Sequence, residues 1–138
     1  MPPDNALSDL QLALMRILWD RGECSAAEVH RALKPSRPLA ITTVATLLAR
    51  LEKRRLVSHR ADGRTFIYRA RVSERDVRGT MLSGLIRNLF RGDPAEVVEH
   101  LLLERDVSSG DMERIEELIE SARRNPPGRA KAARKNGR

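Results

Sequence analysis

The sequence predicts a mainly α-helical protein with one small β-hairpin. Apolar residues recur at helical spacing in three stretches before residue 55 and in three more after residue 73. Between these two sets, residues 56–70 show the two-residue alternation that is typical of β-strands. Aromatic residues make up only 3% of the chain, so its core must consist mainly of leucine, isoleucine, valine and alanine.

Two helices with capping boxes are predicted at the start of the chain. Ser8 and Gln11 have the spacing of a capping box, in which each side chain accepts from the other residue's backbone N–H, and they begin the first helix. Ser25 and Glu28 repeat this pattern at the start of a second, shorter helix. The segment 34–39 contains two prolines, which lack the backbone donor and therefore end this helix.

The third helix is predicted over residues 39–54, and its two faces differ. Val44, Leu47, Leu48 and Leu51 form an apolar face that is suited to a core. Threonines and one arginine occupy the other face, where an exposed helix usually carries glutamate and lysine. This composition indicates that the second face is a binding surface.

A β-hairpin is predicted directly after the third helix. Residues 56–60 and 65–70 alternate as strands do, and Asp62–Gly63 between them is a turn signal. Three helices followed by a two-stranded hairpin is the layout of a winged helix-turn-helix domain, which we predict for residues 1–72. A small helix-plus-hairpin domain without affinity for DNA is the alternative.

Three further helices are predicted over residues 73–124. Asp93 and Pro94 are expected to be an N-cap and a first helical position, and Ser109 is expected to cap the last helix. An isolated bundle of this size buries little apolar surface, so we predict a helical dimerisation domain that pairs with a second copy of the chain. The alternative is that these helices cover the first domain. The expected dimer contacts are Val77, Met81, Leu85, Leu89, Val97, Val98, Leu101, Leu102, Ile115, Leu118 and Ile119.

Positive charge is concentrated at the two ends of the sequence. Residues 1–72 have a net charge of +6, residues 73–124 have −4, and residues 125–138 have +5. The basic first region indicates a polyanionic partner, and better solubility is the alternative explanation. The basic tail, 125–138, has no bulky apolar residue and is predicted to be disordered.

The third helix and the charge distribution together predict binding to double-stranded DNA. In a helix-turn-helix protein, one face of the recognition helix packs in the core and the other enters the major groove. Threonine can contact base edges through its hydroxyl or its methyl group, and cationic side chains can contact phosphates or guanine. The expected contacts are Thr42, Thr43, Thr46 and Arg50 on the helix, Lys53 at its end, Lys34 and Arg37 before it, and Arg60 and Arg64 in the hairpin.

Three motifs resemble those of one family of bacterial regulators. They are Met15, Leu18 and Trp19 in the first helix, the run TTVATLLARL at residues 42–51, and the run FIY at residues 66–68. On these motifs the chain is similar to the penicillinase-repressor (BlaI/MecI) family, over about residues 7–124. The resemblance implies a homodimeric transcriptional repressor on an inverted-repeat DNA operator, with control of β-lactam resistance or a related stress response.

The resemblance also implies a regulatory protease, because in one branch of the family a protease relieves repression by cutting the C-terminal domain. Where that branch has the cut Asn-Phe bond, this chain has His100–Leu101, and cleavage at this bond is not expected. Ala40 and Ile41 stand where relatives often carry a polar or aromatic residue, which leaves the third helix without a side-chain cap. Relatives also often have a basic residue where this chain has Ala45.

No catalytic, metal-binding or cofactor-binding motif is present in the sequence. The three histidines are far apart, and the single cysteine, Cys24, excludes an internal disulfide and an all-cysteine zinc site. We therefore predict a protein that is not an enzyme and needs no cofactor. The N-terminus has no signal-peptide pattern and no apolar run is long enough to span a bilayer, so we expect a cytoplasmic protein without membrane insertion.

Two other functions stay open at the level of the sequence. The protein could bind DNA without sequence preference, as an architectural winged-helix protein. It could also be a ligand-responsive winged-helix regulator with a small-molecule pocket among residues 73–124. A specific repressor keeps its site in the presence of excess random duplex, whereas an architectural protein loses it.

Overall fold

The computed structural model describes residues 7–104 and 107–126, so most of the predicted disordered tail lies outside the described residues. The elements in chain order are α1 (Asp9–Arg21), β1 (Glu23–Ser25), α2 (Ala26–Leu33), α3 (Ile41–Lys53), β2 (Val57–Asp62), β3 (Thr65–Ala70), α4 (Glu74–Leu89), α5 (Pro94–Leu103) and α6 (Ser109–Arg124). This architecture, mainly helical with a small antiparallel sheet, confirms the predicted fold class.

The first two helices begin with the capping boxes that the sequence predicts. The Ser8 hydroxyl accepts from the Gln11 N–H at 3.1 Å, and the Gln11 side chain accepts from the Ser8 N–H at 3.0 Å. Ser25 and Glu28 form the same pair of bonds, at 3.2 and 2.9 Å. Each box satisfies two backbone donors that a helix start would otherwise leave without a partner.

The last two helices also begin with side-chain caps, one of them at a different residue from the predicted one. Asp93 accepts from the Ala95 N–H at 3.0 Å, and Pro94 follows as the first helical residue, as predicted. The cap of α6 is Ser108, so the prediction of Ser109 was wrong by one position. Both positions are serine, and only Ser108 has an acidic residue three positions later to complete a capping box.

Helices α1 to α3 and the sheet share one apolar core. Val44, Leu48 and Leu51 of α3 are fully buried in it, and Leu47 packs against it. The remaining buried apolar side chains of this core are Leu7, Leu14, Met15, Leu18, Cys24, Val29, Leu33, Leu56, Val57, Tyr68 and Val77. Burial of one face of α3 holds the helix so that its threonine and arginine face stays in solvent.

The sheet has three strands in the order β1–β3–β2, all antiparallel. The two hairpin strands were predicted, but β1 was not. β1 is only three residues long, so no alternation of apolar and polar residues can be detected within it. Its central residue Cys24 pairs with Tyr68, and both side chains are buried.

The hairpin turn lies one residue later than the turn signal suggested. Asp62 pairs with Thr65 as the last pair of the ladder, which leaves Gly63 and Arg64 as the two loop residues. Gly63 has a φ of +64°, which glycine adopts readily because it has no Cβ. The two-residue loop places the Arg64 side chain at the tip of the hairpin.

Helix α3 ends in a Schellman motif whose left-handed residue is an arginine. The Leu56 N–H donates to the Leu51 carbonyl at 3.0 Å, and the Arg55 N–H donates to the Glu52 carbonyl at 2.9 Å. Arg55 has a φ of +65°, in the region where glycine is favoured. The turn directs the chain from α3 into β2.

The chain divides into two compact units between Leu89 and Phe90. Helix α4 belongs to the first unit, because Val77 is buried in its core and Met81 packs against that core. The Trp19 indole also donates to the Val72 carbonyl at 2.8 Å. The sequence-based boundary at residues 72–73 was drawn between the proposed DNA-binding and dimerisation functions, and it stays a prediction.

The second unit contains α5 and α6, and many of their large apolar side chains are exposed. The rings of Phe90 and His100 meet edge to face, with centroids 6.0 Å apart. No residue of α5 or α6 is buried within this chain. Among the described residues, no helix combines the length and the apolar character that a membrane span requires.

Candidate nucleic-acid interface

The structure brings four of the predicted contact residues together on one face of α3. Thr42, Thr43, Thr46 and Arg50 are all exposed, and they line one open depression together with Leu47. The predicted residue Lys53 is also exposed, at the last position of the helix. This face therefore presents hydroxyls, methyl groups and two cations, without a carboxylate in the depression.

The hydroxyl of Thr46 is already used within the helix. Its Oγ1 donates to the Thr42 carbonyl at 2.9 Å. The hydroxyl proton is therefore not available for a base or a phosphate, although the oxygen can still accept a hydrogen bond. The three predicted threonines therefore differ, because the i−4 carbonyl competes for the hydroxyl of Thr46.

The start of α3 has no side-chain cap, as its sequence indicates. Ala40 is the N-cap residue and supplies no side-chain hydrogen bond, which confirms the missing cap. The Thr43 and Val44 N–H groups instead donate to the Ala40 carbonyl at 3.0 and 3.2 Å. Ile41, the first helical residue, is 44% exposed.

The loop before α3 is held to α2 by a histidine. A ring nitrogen of His30, Nε2, lies 2.8 Å from the Leu39 carbonyl, in the position of a hydrogen-bond donor. Lys34 at the end of α2 is exposed, and Arg37 is half-buried. Both cations therefore lie in the segment that leads from α2 to α3.

In the hairpin, Arg60 is paired within the protein. Its guanidinium donates to both carboxylate oxygens of Glu23, at 3.1 and 3.4 Å. These bonds hold the pKa of the Glu23 carboxyl below its ordinary range. Arg60, one of the predicted DNA contacts, therefore already has an ion-pair partner within the protein. Arg64 is exposed at the hairpin tip.

A contact between the hairpin and α3 was not expected from the sequence. His59 Nδ1 lies 2.8 Å from both carboxylate oxygens of Glu52. The His59 ring stacks on Phe66 with centroids 4.2 Å apart, and Tyr68 lies 5.5 Å away. His59 was not among the predicted contacts, and no sequence motif marks a pair that spans the turn after α3.

The predicted dimer contacts divide into buried and exposed residues. Val77 is only 1% exposed and already packs in the first core, so its assignment to a dimer surface was wrong. Met81, Val97 and Ile115 are half-buried. The exposed members of the predicted set are Leu85, Leu89, Val98, Leu101, Leu102, Leu118 and Ile119. Leu82, Leu103 and Met112 are also exposed and were not predicted.

The described part of the chain contains no candidate metal site. Within residues 7–104 and 107–126 there is no group of three or more histidine, cysteine, aspartate or glutamate side chains that could hold a metal ion. Cys24 is buried, and burial raises the pKa of its thiol, which disfavours the reactive thiolate. The exposed face of α3 is thus the candidate functional site.

Comparison with known proteins relates this fold to transcriptional repressors. A family model described as penicillinase repressor matches residues 7–121. The transcriptional regulator BlaI of Mycobacterium tuberculosis (strain ATCC 25618 / H37Rv) is 39% identical over 99 residues, which are 70% of this chain and 71% of that protein. The penicillinase repressor of Bacillus licheniformis is 23% identical over 114 residues, which are 83% of this chain and 89% of that protein.

Two solved structures of the repressor BlaI are similar to part of this chain. The DNA-binding domain of the repressor BlaI has 29% sequence identity and a TM-score of 0.48, covering 52% of this chain and 88% of that one. The monomeric form of Bacillus licheniformis BlaI, in complex with the blaP half-operator, has 30% identity and a TM-score of 0.46. It covers 51% of this chain and 87% of that one.

Proposed function

Because the chain belongs to the penicillinase-repressor family, we propose that it represses transcription as a homodimer bound to an inverted-repeat DNA operator. Helix α3 is the recognition helix and the β2–β3 hairpin is the wing. The exposed threonine and arginine face of α3, held by a buried opposite face, is the observation that carries this proposal.

The dimensions of α3 suit the major groove. Its 13 residues make a helix of roughly 20 Å, and the groove of B-DNA is about 12 Å wide. Threonine and alanine side chains are short, so the helix axis can approach the base edges closely. Arg50 is the one long side chain in the exposed depression, and we assign it to a guanine edge.

Phosphate contacts are assigned to the cations around α3. Lys34 and Arg37 precede the helix, Lys53 is its last residue, and Arg64 lies at the tip of the wing. The first 72 residues carry a net charge of +6, which favours association with a polyanion. Arg60 is exposed, and its pair with Glu23 partly neutralises its charge and thereby weakens its attraction for a phosphate.

The exposed apolar side chains of α4, α5 and α6 support the homodimer. Leu89, Leu103 and Leu118 are 67%, 73% and 62% exposed in the single chain. Burial of each such side chain is worth about 1.5–3 kcal/mol, so a second copy that covers them stabilises both chains. A two-fold dimer binds two half-sites that are related by the same symmetry, which gives an inverted repeat.

The regulated process is proposed to be β-lactam resistance or a related stress response, controlled in the cytoplasm where the operator DNA lies. A regulatory protease is the proposed partner that relieves repression. The His100–Leu101 bond lies inside α5, and proteolysis favours exposed loop tips. We therefore propose that such a protease acts at another bond.

Selection of bound DNA by the full chain tests this function. A specific repressor is expected to recover an inverted repeat and to bind it about 10³-fold or more tightly than random duplex at physiological salt. Its footprint should persist when random duplex is present in excess. Recovery of sequences without a common repeat would instead identify an architectural protein, and absence of DNA binding would overturn the proposal.

A further inference from the structure

The exposed face of α3 carries methyl groups along much of its length. Ile41, Ala45 and Ala49 are exposed and follow one another at four-residue spacing, so they lie in one stripe of the helix. Ile41 is large, apolar and 44% exposed at the start of the helix. Glu52, the one carboxylate of α3, is half-buried and is paired with a histidine of the hairpin.

Thr46 adds a further methyl group beside this stripe. Because its hydroxyl proton is donated to the Thr42 carbonyl at 2.9 Å, its remaining groups are a γ-methyl and the acceptor capacity of the oxygen. A threonine in this state resembles valine more than serine in what it can offer a base. Near the start of the helix, Ile41 and Thr46 therefore both expose methyl groups to solvent.

We propose that this stripe and the neighbouring Thr46 recognise thymine, with the methyl groups of Ile41 and Thr46 packed on the C5-methyl groups of thymines in the operator half-site. Among the four DNA bases, only thymine presents an apolar group in the major groove, and alanine, threonine and other apolar side chains contact it there. The inference rests on the proposed function and adds to it the base that the helix selects. Arg50 reads a neighbouring guanine edge in this arrangement.

The first test removes the methyl group from the DNA. The full chain is titrated with the inverted-repeat duplex recovered by selection, and with the same duplex carrying deoxyuridine in place of thymidine at single positions. Loss of one contacted methyl is expected to weaken binding about fourfold. Deoxyuridine at thymidines outside the repeat serves as the control and is expected to change nothing.

The second test removes either the methyl or the hydroxyl group from the protein. Thr46→Ser loses the methyl, and it is expected to bind several-fold more weakly and to lose its sensitivity to deoxyuridine at one position. Thr46→Val keeps a methyl and loses the hydroxyl, and it is expected to keep the response to deoxyuridine at that position. Ile41→Ala should lose sensitivity at a second position.

Thr43→Val is the matched control, because no hydrogen bond of the Thr43 hydroxyl occurs within the described part of the chain. It is expected to weaken operator binding while it keeps the full response to deoxyuridine. Circular dichroism and urea unfolding of every variant establish that the fold is unchanged.

The outcomes separate this inference from the proposed function. Specific binding of the repeat without any deoxyuridine effect would overturn thymine recognition and leave the repressor in place. A weak Thr46→Val variant beside an unaffected Thr46→Ser variant would also overturn it, because the hydroxyl would then be the reading group. If no duplex is bound specifically, both the proposed function and the inference are wrong.

Discussion

At the scale of single residues, the interface depends on which polar groups are already used by the protein. The Thr46 hydroxyl donates to the helix backbone, and the Arg60 guanidinium donates two hydrogen bonds to Glu23. Arg50 is exposed beside the threonines and has the reach for a bidentate contact. The same residue type therefore has different availability for DNA at different positions.

Arg50→Ala is expected to reduce operator affinity by about 1–3 kcal/mol and to relax specificity at one base pair. The physical reason is the loss of a bidentate contact to a guanine edge, which phosphate contacts cannot replace. Equilibrium titration against the operator and its single-base variants measures both effects. Lys53→Ala is the comparison, since a phosphate contact should weaken all duplexes equally and lower the salt slope by about one. Unchanged affinity would remove Arg50 from the interface.

Glu23→Gln is expected to strengthen DNA binding several-fold at low salt, because it releases Arg60 to contact a phosphate. One added phosphate contact makes the slope of log affinity against log salt steeper by about 0.9. Asp62→Asn removes a charge from the same hairpin without breaking this ion pair, and it should leave the slope almost unchanged. Equal slopes for wild type and Glu23→Gln would show that Arg60 stays away from DNA.

At the scale of elements, the junction between α3 and β2 positions the wing relative to the recognition helix. The Schellman motif ends the helix at Arg54, and the Glu52–His59 pair joins α3 to β2 with contacts of 2.8 Å. Phe66 stacks on His59 from the neighbouring strand. Local backbone bonds and one side-chain cluster thus join α3 and the hairpin as a unit.

Arg55→Gly is expected to stabilise the first unit by about 0.5–1 kcal/mol. A left-handed conformation costs an arginine about 1–2 kcal/mol, and relief of this cost exceeds the extra entropy that glycine loses on folding. A higher midpoint of urea unfolding with an unchanged m-value would show this gain. Ala49→Gly, in the interior of the same helix, should instead lose about 1 kcal/mol. A lower midpoint for Arg55→Gly would mean that its side chain stabilises the fold.

At the scale of the whole molecule, two compact units divide the chain after Leu89. The first unit buries one complete core, and the second unit has exposed apolar helices without a core of its own among the described residues. Removal of everything after Val72 would delete Val77 from the first core as well as the proposed dimer helices. Substitutions in the full chain therefore test the dimer more directly than this truncation.

The double variant Leu118→Glu, Ile119→Glu is expected to dissociate the proposed dimer without unfolding the chain. Both side chains are exposed in the single chain, and together their burial in a dimer is worth about 3–6 kcal/mol, or more than a hundredfold in the dimer dissociation constant. Sedimentation equilibrium measures the mass, and operator titration should show weaker binding. Ser121→Glu adds an exposed charge to the same helix and should remain dimeric. A double variant that stays dimeric would place the interface outside α6.

The sequence was sufficient for features that depend on short-range chemistry. The capping boxes of Ser8 and Ser25 and the proline start of α5 were predicted, because each involves residues within one helical turn. The buried face of α3 followed from its helical spacing. The strand β1 was missed, since its three residues pair only with a distant strand.

The sequence by itself determined that three helices are followed by a hairpin and that threonines and an arginine share one face of the third helix, because spacing and composition are local properties of the chain. Only the tertiary structure decided which of those surface residues are available. Glu23 reaches Arg60 across the sheet, and Val77 joins the first core instead of an exposed face. These outcomes depend on contacts between residues far apart in the chain, and such contacts form only when the elements pack together.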